Sequence, residues 1–146
     1  MIVSAAPAVR LAGEAASLIA DAAERAYPNE ACGLLIGRSD GSGWRITRAI
    51  VGDNVHPEPR RRFEVDPRLV FEWMRRLRGG AESVVGHFHS HPDGPAAPSE
   101  TDRASAYDRS ALWIIAAVPQ GRLGPMRAFR LERDGAGFAE VTVNVE

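Results

Sequence analysis

The sequence predicts an α/β fold: one domain over residues 1–146, a mixed β-sheet flanked by helices. Three observations lead there. Two segments carry apolar residues at helical spacing, and short apolar or alternating runs bounded by turn residues lie between and after them. Two of those runs are joined by a tight turn, which makes a hairpin, so the sheet is not all parallel. The length suits one ordinary domain, and no repeat, low-complexity tract or linker divides it.

Taken in order, Ile2 to Ser4 reads as a short strand. Leu11 to Ala26 reads as a helix, because Leu11, Ala15, Leu18, Ile19, Ala22 and Ala26 recur at helical spacing while Glu14, Asp21 and Arg25 fall elsewhere. Tyr27 and Pro28 end it. Cys32 to Arg38 is a buried apolar strand, Asp40 to Gly43 a turn, and Trp44 to Val51 the returning strand. Gly52 to Arg62, with Pro57 and Pro59, is a loop that leads into a short strand from Arg62 to Val65. Asp66 then Pro67 starts a helix, a capping side chain followed by proline at the first helical position. It runs to about Arg78 on an apolar face of Leu69, Val70, Trp73, Met74 and Leu77, and Gly79 and Gly80 stop it. Ser83 to His91 is a strand. Pro92 to Pro98 is a stiff loop, and Ser99 opens another helix. Leu112 to Val118, Arg127 to Leu131 and Phe138 to Val145 complete the strands.

Composition narrows the function. The net charge of −1 gives no global pull toward nucleic acid or membrane, and the short run Arg60, Arg61, Arg62 reads as a solvated loop. One cysteine, Cys32, rules out an intrachain disulfide and suits a reducing cytoplasm. The Ala-rich stretch from Met1 to Ala23 lacks the basic start and long apolar core of an export signal. No segment is apolar for long enough to span a bilayer. The expectation is a soluble cytoplasmic protein, either a monomer or a homodimer.

The chemistry concentrates between His89 and Asp102, HSHPDGPAAPSETD. On a strand, residues i and i+2 share a face, so His89 and His91 can aim both imidazoles at one point. Asp102 can join from the next element as a third ligand. Two imidazoles and a carboxylate bind zinc and leave a position open for water, whose pKa falls to about 7 there. Ser99 and Asp102 also have the spacing of a helix cap. That reading would win alone, but the metal reading wins seven residues after a His-x-His pair. A cap at Ser99 would bring its hydroxyl toward the metal, where it could donate to a developing oxyanion. His87 shares the parity of the pair but lies further from Asp102. Its expected place is behind the ligands or in the core, with a hydrogen-bond partner for its ring. Cys32, in an apolar strand, reads as a packing residue rather than a nucleophile.

At these residues the chain resembles the JAMM (MPN-plus) zinc metallopeptidases, whose signature is a distant Glu, then His-x-His, seven residues, Ser, two residues and Asp. Pro92 to Pro98 supply the seven, and Glu100 and Thr101 the two. The segment Pro28-Asn29-Glu30-Ala31-Cys32-Gly33 resembles the one that holds the distant Glu. Spacing alone does not distinguish Glu30 from the other acidic residues. The resemblance implies the MPN/JAB fold, which is cytidine-deaminase-like, and one zinc per chain held by His89, His91 and Asp102. It also implies that Glu30 is the general base, taking a proton from the attacking water and handing it to the leaving amine.

The short connections after Asp102 and over Gly52 to Arg62 resemble compact prokaryotic members of the family. Several of those remove an amino acid or peptide from the C-terminal Gly-Gly of a ubiquitin-like sulfur-carrier protein. The partner implied is such a carrier, and release of cysteine in cysteine biosynthesis fits best. An extended tail needs a groove, often beside an edge strand. Phe63 and Val65, alternating with Glu64 on such a strand, and Trp113 are the candidates to line it. Other readings stay open: a zinc amidase on small peptides or cell-wall fragments, a non-enzymatic docking module, or a metal that only staples the loop.

Overall fold

The β2–β3 hairpin is the organising unit of the sheet. In the computed structural model, which describes residues 6–106, 111–132 and 137–146, β2 (Cys32–Ser39) pairs antiparallel with β3 (Gly43–Gly52) through a turn with Gly41 at φ +82°. Only glycine takes that angle without strain. On its other side β2 pairs antiparallel with β4 (Ser83–Pro92), which pairs in parallel with β5 (Leu112–Val118). Next come β6 (Met126–Leu131), antiparallel to β5, and β7 (Phe138–Val145), antiparallel to β6. A first strand, β1 (Ala8–Leu11), is parallel to both β3 and β7 and closes the sheet in the order β1-β3-β2-β4-β5-β6-β7. The mixed α/β architecture expected from the sequence is therefore the one observed.

Helix α1 (Gly13–Ala26) supplies the core of one face. Its Ala15, Ile19, Ala22 and Ala23 are buried against Leu35, Ile46, Phe88, Leu112, Ile114 and Val118. Small alanines let the helix approach the strands closely, and burying Ile19 fully is worth about 1.5–3 kcal/mol. The opposite face carries a smaller cluster of Trp113, Ile115 and Phe129, with Phe138 against it. Gly86 lets β5 come close to β4 just before the histidines, since a Cβ there would run into the backbone of Leu112. Helix α2 (Pro67–Leu77) and the short α3 (Glu100–Ala104) complete the fold. Among the described residues, no helix is long and apolar enough to cross a membrane.

Four expectations are corrected or fall outside. Leu11 belongs to a strand, not the helix: its carbonyl accepts from Glu146 N at 2.8 Å, and Val9 and Leu11 alternate inward. Ile2 to Ser4 lies outside the described residues. The strand expected from Arg62 to Val65 is a loop with one isolated bridge between Asn54 and Val65, so Phe63 and Val65 do not lie on an edge strand. The Asn54 side chain takes the Arg62 carbonyl at 2.9 Å and the Glu64 N–H at 3.1 Å, groups a ladder would need. Helix α2 is capped by Asp66 as expected, accepting from Arg68 N at 3.0 Å, but buries no residue fully. Met74, expected on its apolar face, is 55% exposed.

Candidate metal centre

Strand β4 carries His87, His89 and His91 on one face, and the rigid turn after it returns the chain over them. Asp93, at φ +59°, accepts from Gln120 N and from the Tyr27 hydroxyl, both at 2.7 Å. These bonds anchor the proline-rich loop that leads to Ser99. There a complete capping box forms: Ser99 Oγ accepts from Asp102 N at 3.0 Å, and Ser99 N donates to Asp102 Oδ2 at 2.9 Å. The cap leaves the ligand reading of this motif open, because it aims the Asp102 carboxylate at the histidines.

His89 Nε2 and His91 Nε2 are 3.1 Å apart, and Asp102 Oδ2 lies 3.2 Å from the first and 3.0 Å from the second. A tetrahedral ion with bonds of about 2.0–2.1 Å holds its ligand atoms about 3.3 Å apart, so this triangle has the size of one face of such a centre. Hydrogen bonding supports the fit. His91 Nδ1 is 2.8 Å from the Pro95 carbonyl, which accepts its proton and leaves the Nε2 lone pair of the neutral ring facing the centre. With His89 in the same form, Nε2 of both rings and Oδ2 of Asp102 would turn lone pairs toward one point, where a shared cation would fit.

Glu30 enters from the other side, at the start of β2. It is 5% exposed, its Oε1 has no hydrogen-bond partner among the described residues, and its carboxylate, His89 and His91 offer ligand-type atoms within 4.8 Å of one another. The site is almost wholly buried, with His89 inaccessible and Asp102 4% exposed.

Burial acts on every group of the site and decides the direction for Glu30 and His89. It pushes the Glu30 carboxyl up to about 8, with Asp102 adding to the rise and His91 opposing it. It also lowers His89 against the pull of Asp102. For Asp102 burial is outweighed by bonds from His89, His91 and Ser99 N, which hold it well below the usual carboxylate range. For His91 burial is likewise outweighed, by Asp102 and the Pro95 carbonyl, and its value is raised. The Cys32 thiol, buried opposite His89 in the β2–β4 register, is pushed up to about 12 and is no nucleophile at neutral pH.

A stability prediction follows for the metal-free protein. The folded state favours the protonated form of Glu30, whose ordinary value is 4.5. Its contribution is fully present below pH 4.5 and is lost as pH rises through about 8. His91 shifts in the same direction, so the effect is read by difference. Between pH 6.5 and 8, in chelator, the wild type should lose stability faster than Glu30→Gln, by up to about 1.4 kcal/mol per pH unit. Thermal melts across that window check it, and parallel curves would contradict it.

The remaining sequence candidates surround the histidines. The Phe63 ring stacks on His89 at 4.2 Å and lies 5.1 Å from His87, whose other neighbour is the edge of Trp113 at 4.3 Å. Contrary to expectation, His87 Nε2 has no hydrogen-bond partner among the described residues: aromatic rings, not polar groups, enclose it. Phe63, His87 and Trp113 line a cavity of about 250 Å³ that reaches Asp102. Phe63 and His87 also line a trough of about 500 Å³ that runs past Val65 and Leu34 along Val84 and Ser83 to Ser39. Sequence reasoning missed Asn54 and Ser90, which hold the backbone at Glu30. Ser90 stands inside the His-Ser-His motif, and its parity, opposite to that of the ligands, was the available signal.

Residues 13–132 match the family described as prokaryotic homologs of the JAB domain. The chain is 34% identical over 119 residues to the desampylase of Haloferax volcanii, covering 82% of this chain and 80% of that protein. It is 32% identical over 123 residues to the CysO-cysteine peptidase of Mycobacterium tuberculosis, covering 84% and 81%. Among solved structures, a protein of Desulfitobacterium hafniense superposes with a TM-score of 0.81 at 30% identity, over 94% of this chain and 92% of that one.

Proposed function

The chain belongs to the family of prokaryotic homologs of the JAB domain, the JAMM-type hydrolases, and from that premise we propose that it is a zinc-dependent peptidase of ubiquitin-like protein conjugates. The scissile amide follows the C-terminal Gly-Gly of a small carrier, and cysteine is the residue released in the reading that the peptidase named for that reaction supports best. The observation that carries the proposal is the buried carboxylate of Glu30 beside the His89, His91 and Asp102 triangle.

His89, His91 and Asp102 would hold one zinc. When bound, zinc acts as a Lewis acid toward water and the amide carbonyl. Glu30, whose carboxylate lies beside the triangle and would be held ionised by a bound cation, accepts the proton of the attacking water. It passes that proton to the amine nitrogen as the C–N bond breaks, leaving the carrier's Gly-Gly carboxylate and a free amine. Ser99 accepts from Asp102 N through its oxygen, so its own O–H is available to donate to the oxyanion. The trough past Phe63 and Val65 would take the extended tail, and the cavity lined by Phe63, His87 and Trp113 would lead its end toward Asp102.

The test is intact-protein mass spectrometry on Gly-Gly-ending carriers bearing a C-terminal cysteine. Loss of one cysteine mass, abolished by chelator and restored by zinc, is expected. Zinc-loaded protein that leaves every carrier intact yet cleaves small peptides would overturn the carrier reading.

A further inference from the structure

The Glu30-Ala31 dipeptide has four main-chain hydrogen-bonding groups, and all four are taken by partners distant in sequence. Glu30 N donates to the Pro59 carbonyl at 2.7 Å, and the Glu30 carbonyl accepts from Asn54 Nδ2 at 3.1 Å. Ala31 N donates to Ser90 Oγ at 2.7 Å, and the Ala31 carbonyl accepts from Ser90 N at 3.0 Å. Ser90 is completely buried and sits between the two histidines that face the metal centre.

Asn54 is equally committed. Its two N–H groups donate to the carbonyls of Glu30 at 3.1 Å and Arg62 at 2.9 Å, with Pro59 O a shared contact at 3.4 Å, and its Oδ1 accepts from His56 N and Glu64 N, both at 3.1 Å. The loop it gathers ends at Phe63, which stacks on His89. One side of the dipeptide is therefore bonded to the strand of the histidines, and the other to the loop packed over them.

We propose that Ser90 and Asn54 are positioning residues that clamp the Glu30 backbone between the histidine strand and the Phe63 loop, and so set the distance of its carboxylate from His89 and His91. The proposal rests on the reading of Glu30 as the general base. Neither side chain touches the reacting atoms in this scheme. Each acts through main-chain groups that are buried and would stay unpaired without it. The clamp accounts for a carboxylate directed into the centre although its Oε1 has no hydrogen-bond partner among the described residues. Precision of this kind matters to the rate, because a misplacement of about 1 Å can cost about 10²-fold.

The experiment is a double-mutant cycle on the zinc-loaded protein, with the cysteine-bearing carrier as substrate. Ser90→Ala removes one acceptor atom and little volume. It is expected to lower kcat by about 10–100-fold while KM and zinc content hold. Combined with Glu30→Gln it should lower the residual kcat no further, because its effect passes through Glu30. Asn54→Ala is expected to behave alike and carries the test where Ser90→Ala fails to fold. A wild-type kcat in the single variants overturns the clamp, as does an equal fall in the Glu30→Gln background. Full turnover by Glu30→Gln alone is a separate result: it overturns the base assignment, and the clamp with it.

Discussion

Glu30→Gln should keep one equivalent of zinc and lose about 10²- to 10⁴-fold in kcat, the usual range for a general acid–base group. The substitution keeps the shape of the side chain and removes only its capacity to carry a proton. Zinc should stay because the proposed ligand atoms are His89 Nε2, His91 Nε2 and Asp102 Oδ2, and the contacts among them do not involve Glu30. The large effect on turnover is expected because the carboxylate lies beside the His89, His91 and Asp102 triangle and is the group placed to move the proton. Steady-state kinetics beside metal analysis decides the matter, and undiminished turnover would remove Glu30 from the mechanism.

The second large effect is expected on metal affinity. His89→Ala and Asp102→Ala should each lose stoichiometric zinc, by more than the 10–100-fold that removal of an outer hydrogen-bond partner costs. Asp102 has two roles, so its loss also removes the half of the capping box in which Ser99 N donates to its carboxylate. Ser99→Ala separates them: it removes the cap acceptor and leaves the Asp102 carboxylate in place, so zinc should remain while stability falls. Competition with a chromophoric chelator, alongside thermal melts, measures both quantities. Full zinc content in His89→Ala and Asp102→Ala would refute the ligand assignment.

What the sequence determined by itself is local. The shared face of His89 and His91 follows from the two-residue period of a strand, and the aim of Asp102 from the three-residue reach of a helix cap. Both are set by covalent geometry over a few residues, and the structure has them as read. The Asp66-Pro67 helix start and the hairpin turn at Asp40 to Gly43 were legible for the same reason. Glu30 was legible only through family resemblance, since nothing in its own neighbourhood marks it out.

The tertiary structure decided the rest. Sheet order sets β2 beside β4, which brings Ala31 to Ser90 and so Glu30 to the histidines across 59 positions of chain. The same long-range pairing made Leu11 a strand residue, because its backbone found partners on β3 and β7 that no helical spacing could announce. Around Asn54 a side chain outcompeted a ladder for the backbone of residues 62–64, and a run that alternates like a strand became a loop packed on the centre. In each case the deciding bond joins residues far apart in sequence. Its free energy depends on what the closed sheet places opposite, and periodicity along the chain does not encode that.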